Sequence, residues 1–424
     1  MRRAAFVCEA ALMDLELRAI TEDERARFNR AVATAFGGIP RDEELEEWGD
    51  DLAVERTIAG FDGDEIVSTA GAYSFELTVP GGARVPTAGV TIVGVRPTHR
   101  RRGLLTRMMD DQLDDVANRG EPLAALTASE SSIYGRFGYG QATSNTWWQL
   151  TTEGTAFASP SRAHGTIRLV DRETALAVVP GLFDAAASAR VGEVTRSASF
   201  WQRVYKERRT PASPDSDGKP FFTVVHENNA GTIDAFARYA VKSEWPHGQP
   251  GNVLRVMELH ATAAEAEAAL WEFLLSVDLV AQVRADDRPV DDPLRWRLLD
   301  PRRLQVTQLT DHLWVRVVDV AAALSARTYG VDDGLVLGLV DPFRPLNDGT
   351  WMVEGGAAGA QCARTDRDAD LVLSARDVGA LYLGGVTAST LAHAGRVEER
   401  TSGAVARADR FFAAHPSPWC TTHF

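Results

Sequence analysis

The sequence predicts a mixed α/β (α+β) fold laid out as three units in tandem. Alternating strand-like runs and amphipathic helical stretches interleave along all 424 residues. A chain of that length exceeds what a single hydrophobic core fills. An early strand and helix at 85–116 are echoed by a strand and helix at 253–276. The units divide at 1–155, 156–304 and 305–424.

The first unit opens with a short strand at 15–20. Thr21-Glu22-Asp23-Glu24 has the Thr-x-x-Glu form of a capping box, starting a helix that runs to about residue 36. Strands follow at 55–61, 65–77 and 85–95, with Pro80-Gly81-Gly82 as a hairpin turn. A helix to about residue 116 precedes the apolar strand 122–127. Ser129-Glu130-Ser131-Ser132 then opens a short helix, and a closing strand pair is read at 142–152.

Residues 157–164 form a Pro- and Ser-containing linker. The second unit reads as a strand at 167–170, a helix at 173–187, a polar loop at 208–218, strands at 221–225, 235–241 and 253–261, and a helix at 264–276. Residues 280–300 read as a series of Asp-containing turns. The third unit reads as a strand at 313–317, a helix at 320–326, and strands at 335–340, 349–354 and 360–364. The strand 371–374 closes its sheet, and helices follow at 378–383 and 404–414. The tail, His415-Pro416-Ser417-Pro418-Trp419-Cys420-Thr421-Thr422-His423-Phe424, is extended by its prolines. Its aromatic ending, unlike an ordinary frayed polar terminus, points to docking.

Composition excludes several classes. The net charge of −14 argues against nucleic acid as a partner, because phosphates are repelled. No run of about 18 apolar residues exists, so no membrane span is expected. Cys8, Cys362 and Cys420 are scattered and odd in number, which indicates neither a disulfide framework nor a zinc site and fits a reducing cytoplasm. Residues 1–12 carry Arg2-Arg3 and a short apolar stretch broken by Glu9. They read as a loosely held extension, with Met13 as an alternative start.

The chemistry concentrates in Val93-Gly94-Val95-Arg96-Pro97-Thr98-His99-Arg100-Arg101-Arg102-Gly103-Leu104-Leu105-Thr106. A strand leads into an arginine-rich turn, and Gly103 precedes a helix. Backbone N–H groups and the positive end of a helix dipole converge there, an arrangement suited to a pyrophosphate. Gly103 lets the anion approach the backbone. Arg100-x-x-Gly103-x-Leu105 resembles the acetyl-CoA loop of GNAT-type N-acetyltransferases, departing at Leu105, where the pattern has a small residue. The loop, Ser129-Glu130, Ile133-Tyr134-Gly135-Arg136-Phe137-Gly138-Tyr139-Gly140, the order of the units and the terminal Phe together resemble the Eis (enhanced intracellular survival) family.

That resemblance implies a catalytic GNAT domain, a second GNAT-like domain that binds no CoA, and a domain resembling sterol carrier proteins. It implies a homohexamer that acetylates aminoglycoside-like or other polyamine acceptors from acetyl-CoA without a metal. By the same resemblance Tyr134 is the general acid and the carboxylate of Phe424 takes the proton of the attacking amine, while Tyr139 is structural. Val93, Gly94 and Val95 correspond to the strand beside the pantetheine arm. Arg100, Arg101, Arg102, Gly103, Leu104, Leu105 and Thr106 correspond to the pyrophosphate loop. Ser129 and Glu130 line the CoA cleft, although Glu130 equally suits a helix start with no ligand. Thr127 stands where some members have a His. Trp48 corresponds to the acceptor-pocket wall, within an acidic run that also reads as a solvated helix face. Two other readings stay open: a lipid or small-ligand carrier with a vestigial CoA loop, and a protein-lysine acetyltransferase.

Overall fold

The computed structural model describes residues 15–40, 52–206 and 221–424. The first sheet is built on an antiparallel meander. Strands β1 (Glu16–Arg18), β2 (Thr57–Asp62), β3 (Glu65–Thr78) and β4 (Arg84–Val95) lie side by side in chain order. Thr21 and Glu24 form the expected capping box, after which the helix Arg25–Ala35 runs. Phe28, Ala31 and Val32 on that helix pack on Ala59, Phe61 and Ile66. Glu24 also accepts from Arg18 at 2.7 Å, which pins the helix start to β1. The helix Leu104–Asn118 buries Leu104, Met108, Met109, Leu113 and Val116, the apolar stripe a helical period requires. It carries the chain across to β5 (Leu123–Thr127), parallel to β4.

Beyond β5 the pairing departs from the linear reading. The region 142–152 is not a strand pair of the first unit. The two-residue strand β6 (Gly140–Gln141) stays in the first sheet, whereas β7 (Ser144–Thr151) lies in the second. The second sheet continues with β8 (Gly165–Val170), β9 (Phe222–Asn228), β10 (Ile233–Lys242), β11 (Asn252–Ala261), β12 (Val280–Pro289) and β13 (Leu304–Asp311), in the order β13-β7-β12-β11-β10-β9-β8. Strand β12 occupies a segment read as turns: Val280, Val283 and Ala285 are buried, and Asp286, which follows them, is paired with Arg255 of β11. The helix Ala198–Val204 and strand β13 also escaped the reading.

Strand β14 (Leu313–Val317), read as the start of the third unit, inserts into the first sheet between β5 and β6. The third sheet runs β17-β16-β15-β18-β19, from β15 (Asp333–Val340), β16 (Gly349–Gly356), β17 (Gly359–Arg364), β18 (Leu371–Ser374) and β19 (Val397–Glu399). β19, not β18, closes it. One large core joins Leu77, Leu123, Ala125 and Val315 of the first sheet to Leu337, Tyr382 and Phe411 of the third unit, so the third unit is packed directly behind the first. Among the described residues no helix is long and apolar enough to cross a membrane. Cys362 and Cys420 are buried and unpaired.

Candidate active site

The site begins as a split in the first sheet. β4 pairs with β5 only at Thr87–Leu123, Ala88–Ala124 and Gly89–Ala125, while β4 continues to Val95. A register shift opposite β3 and the left-handed backbone of Ile92 (φ 49°) bend β4 away. The Thr69 hydroxyl donates to the Ile92 carbonyl at 2.9 Å and holds that bend. The two strands therefore diverge, and a cavity of about 830 Å³ opens between them.

The arginine turn lies at one end of this cavity. Arg101 (φ 62°) and Gly103 (φ 82°) are both left-handed, and Gly103 caps the helix Leu104–Asn118. Glycine at 103 thus meets a conformational need as well as the close approach read from the sequence. Arg100 donates from Nε to the Val95 carbonyl at 3.2 Å and from Nη2 to Ala35 at 3.3 Å, tying the turn to β4 and to the first helix. Of the residues singled out in the sequence, Val93, Gly94, Val95, Arg100, Arg101, Gly103, Leu104, Leu105, Thr106, Ser129, Glu130, Tyr134 and Phe424 line the cavity. Arg102 does not; its Nη2 donates to the Thr98 carbonyl at 3.1 Å. Trp48 lies outside the described residues. Sequence reasoning missed Phe36, Ile92, His99 and Arg136 on the wall, and gave Thr127 no part.

Tyr134 sits half-buried on the cavity wall, and Tyr139 is fully buried behind it, the rings 6.0 Å apart edge to face. Burial, reinforced by the nearby Glu130 charge, pushes the Tyr134 phenol above its usual value. It therefore carries its proton throughout the neutral range. Tyr139 is pushed up further by complete burial, and its hydroxyl has no hydrogen-bond partner. The buried pair Arg316–Asp341, 2.6 Å apart, lies beside it.

The far end of the cavity is closed by the chain terminus. Thr127 donates its hydroxyl to the terminal carboxylate of Phe424 at 3.2 Å. The Phe424 ring meets Phe75 edge to face at 5.0 Å. Gly89 makes room for this contact, since a Cβ there would stand 2.3 Å from the Phe75 ring and 3.3 Å from that of Phe424.

The second unit holds the tail that delivers this carboxylate. Glu193 accepts from the Thr421 backbone and hydroxyl, both at 2.8 Å, and from the Thr422 hydroxyl at 2.6 Å. Burial alone would raise its carboxyl, but Arg196 and the Thr422 hydroxyl hold it below the usual range. Arg196 bonds Thr422 and Thr421 at 2.8 and 3.0 Å and is paired with Glu258 at 2.6 Å. Trp419 stacks on His260, centroids 5.1 Å apart, and donates to the Asp287 carbonyl at 2.7 Å. The docking foreshadowed by the aromatic tail is thus a buried polar clamp.

Comparison with known proteins fits this architecture. An acetyltransferase (GNAT) domain family matches residues 16–142, a second acetyltransferase (GNAT) domain family matches 192–317, and a sterol carrier protein domain matches 320–421. An uncharacterized N-acetyltransferase of Streptomyces avermitilis is 39% identical, covering 96% of this chain and 99% of that one. The N-acetyltransferase Eis of Mycobacterium tuberculosis is 33% identical over 95% of this chain and 98% of its own. The crystal structure of Eis1 from Mycobacterium abscessus superposes with a TM-score of 0.84 at 33% identity, covering 96% of this chain and all of that one.

Proposed function

The chain belongs to the Eis family of GNAT-type N-acetyltransferases, and on that premise we propose that it acetylates amino groups of aminoglycoside-like or other polyamine acceptors, with acetyl-CoA as donor. The observation that carries the reading is the cavity itself. It has a cationic helix start at one end, a protonated phenol on its wall and a carboxylate at the other end. The pyrophosphate rests on the turn from Arg100 to Thr106, and the pantetheine arm runs along Val93 and Val95.

The acceptor enters as an ammonium, attracted by the Phe424 carboxylate, which takes its proton directly or through water. The freed amine attacks the thioester carbonyl carbon. The tetrahedral intermediate then collapses with cleavage of the C–S bond. Tyr134 donates its proton to the departing sulfur, whose thiol has a pKa of about 8.5. The nitrogen sheds its surplus proton to solvent, the Phe424 carboxyl releases there the proton it accepted, and the phenolate takes one up, so the products are an acetamide, the free thiol of CoA and one net proton. Thr127 holds the carboxylate in place by its hydroxyl. Tyr139 has no part in the transfer, because its hydroxyl is fully buried behind the cavity wall and has no hydrogen-bond partner. The enzyme works as a homohexamer in the cytoplasm.

The test is a panel of mono-, di- and polyamines, aminoglycosides and lysine peptides, each offered with acetyl-CoA while thiol release is followed. Turnover on multiply aminated small molecules, exceeding that on lysine peptides, is expected. Turnover confined to peptides would replace the acceptor class and leave the acetyl transfer intact.

A further inference from the structure

One group of side chains close to the chain end is not used by the transfer chemistry. Asp287 in β12, His312 in the turn between β13 and β14, and His423 in the tail bring one donor atom each to within 4.8 Å of one another. Among the described residues no other three His, Cys, Asp or Glu side chains converge in this way. His226 with Asp234, at 2.6 Å, shows what a plain imidazole–carboxylate pair looks like in this protein: two partners and no third.

We propose that Asp287, His312 and His423 bind a divalent transition metal of the zinc class, and that the bound ion fixes the end of the chain beside the Phe424 carboxylate. Two imidazoles and one carboxylate form a donor set that zinc accepts, with a fourth position left to water. Asp287 is aimed by its backbone. It lies in a left-handed conformation (φ 51°) at the point where the β12–β7 register shifts, and a bulge of this kind redirects a side chain.

The outer contacts orient the donors. Trp147 Nε1 and Asn145 Nδ2 donate to Asp287 Oδ1 at 3.3 and 3.4 Å. Its Oδ2 faces His423 Nε2 at 2.9 Å. A ring nitrogen of His312 lies 3.3 Å from the Thr422 carbonyl, the type of backbone contact that fixes the ring of a metal-binding imidazole. The His312 and His423 rings stand 4.6 Å apart and nearly perpendicular. Donor atoms around a tetrahedral zinc lie about 3.3 Å from one another. The group therefore closes on an ion through a small rotation of His423, whose side chain is 62% exposed. That exposure also gives the ion its entry from solvent. His423 is followed only by Phe424, so an ion there adds a third, coordinative tether to the last two residues of the chain.

The inference rests on the position of the tail and not on the identity of the acceptor, so it is tested without turnover. Full-length protein is stripped with chelator and titrated with Co²⁺ alone, followed by its visible absorption, and then with Zn²⁺ in competition. One Co²⁺ per chain, displaced by Zn²⁺, is expected. Affinity should fall by about 10-fold or more in His312→Ala and in His423→Gln, with circular dichroism confirming the fold of each. His423→Gln keeps the test decisive, because an exposed tail residue carries little of the fold. Release of Phe424 by the serine enzyme carboxypeptidase Y should slow by about 10-fold when Zn²⁺ is present, and this protection should vanish in His423→Gln. No stoichiometric cobalt binding, or equal binding in both variants, would overturn the site. Binding without slower release of Phe424 would overturn the tether.

Discussion

Two sheets in this molecule split in the same place, and the two splits have opposite contents. In the first, β4 leaves β5 after Gly89–Ala125, and the gap is a cavity of about 830 Å³. In the second, β11 pairs with β12 from Asn252–Val280 to Val256–Ala285 and then runs on unpaired with it to Ala261. That second gap is bridged by Arg288, whose Nη1 donates to the Leu259 carbonyl at 3.0 Å. The Arg288 guanidinium lies 5.0 Å from the Trp419 ring, and Trp419 stacks in turn on His260. Where the first unit leads from strand to helix through Arg100, Arg101 and Gly103, the second has only Thr262 and Ala263. One split thus stays open as a cavity with only Phe424 of the tail on its wall, while its counterpart is closed by Arg288 and Trp419. The fold supplies the split; the turn and the filler decide its use.

The largest expected effect lies in the turn that separates the two. Gly103→Asp should weaken acyl-CoA binding by about 100-fold or more, about 2.8 kcal/mol, as read by calorimetry. The aspartate puts a negative charge where the proposed reaction rests the pyrophosphate. Gly103→Asn is the control, with the same shape, a side chain that tolerates the left-handed region and no charge. A tenfold or larger difference between the two reads the electrostatic part. Equal affinities in Asp, Asn and unaltered proteins would remove the phosphate from this turn.

The next effect lies on the cavity wall. Tyr134→Phe should lower turnover by about 100-fold, the usual reach of a general acid, with acyl-CoA affinity unchanged. Tyr139→Phe should leave turnover near its original value. It should raise stability by about 1 kcal/mol, since it removes a buried hydroxyl that has no partner. The opposite ranking of the two variants in a thiol-release assay would transfer the acid role to Tyr139.

These two sites also mark how much was legible in the linear chain. The arginine turn was readable because all its parts lie within one strand–turn–helix passage. The elements of the first unit were readable from local patterning, as the capping box at Thr21 and Glu24 illustrates. The crossing of β7 and β14 between sheets was not, because an alternating strand has no local mark of which sheet it joins. β12 was hidden by its charges: Arg255 and Asp286 neutralise one another across strands, a pairing visible only once β11 lies alongside. The clamp on the tail was equally hidden, since Glu193 and Thr421 are far apart in sequence and meet only through tertiary packing. The aromatic tail announced docking and gave no hint of the partner.

A smaller effect is expected from moving the chain end. A C-terminal tag places bulk and a displaced charge at Phe424, so acetyl transfer should fall by about 10-fold or more, as a misplaced reacting group does. Acyl-CoA binding should persist, and an N-terminal tag should leave the rate unaltered. Equal rates for both tagged forms would separate the carboxylate from the chemistry.

The smallest effect, and the one that tests the second split most directly, concerns Glu193. Its carboxylate is completely buried and receives three hydrogen bonds from Thr421 and Thr422. Because Arg196 and these donors hold its carboxyl below the usual range, the folded protein resists protonating it more than the unfolded chain does. The stability this provides is present above the unfolded value of about 4.3. It is lost as pH falls through the lower folded value. Glu193→Gln keeps the shape but removes the charge and turns one acceptor into a donor facing the Thr421 and Thr422 donors. The cost should be about 1.5–3 kcal/mol at neutral pH, seen as a lower melting temperature. The variant should also lose part of the steep fall in melting temperature between about pH 5 and pH 3. Acyl-CoA affinity should be unchanged, because the arginine turn lies in the other split, while transfer falls several-fold as the Phe424 carboxylate loses its fixed position. A variant whose melting curve merely shifts down in parallel at every pH would show that the Glu193 charge does not hold the tail.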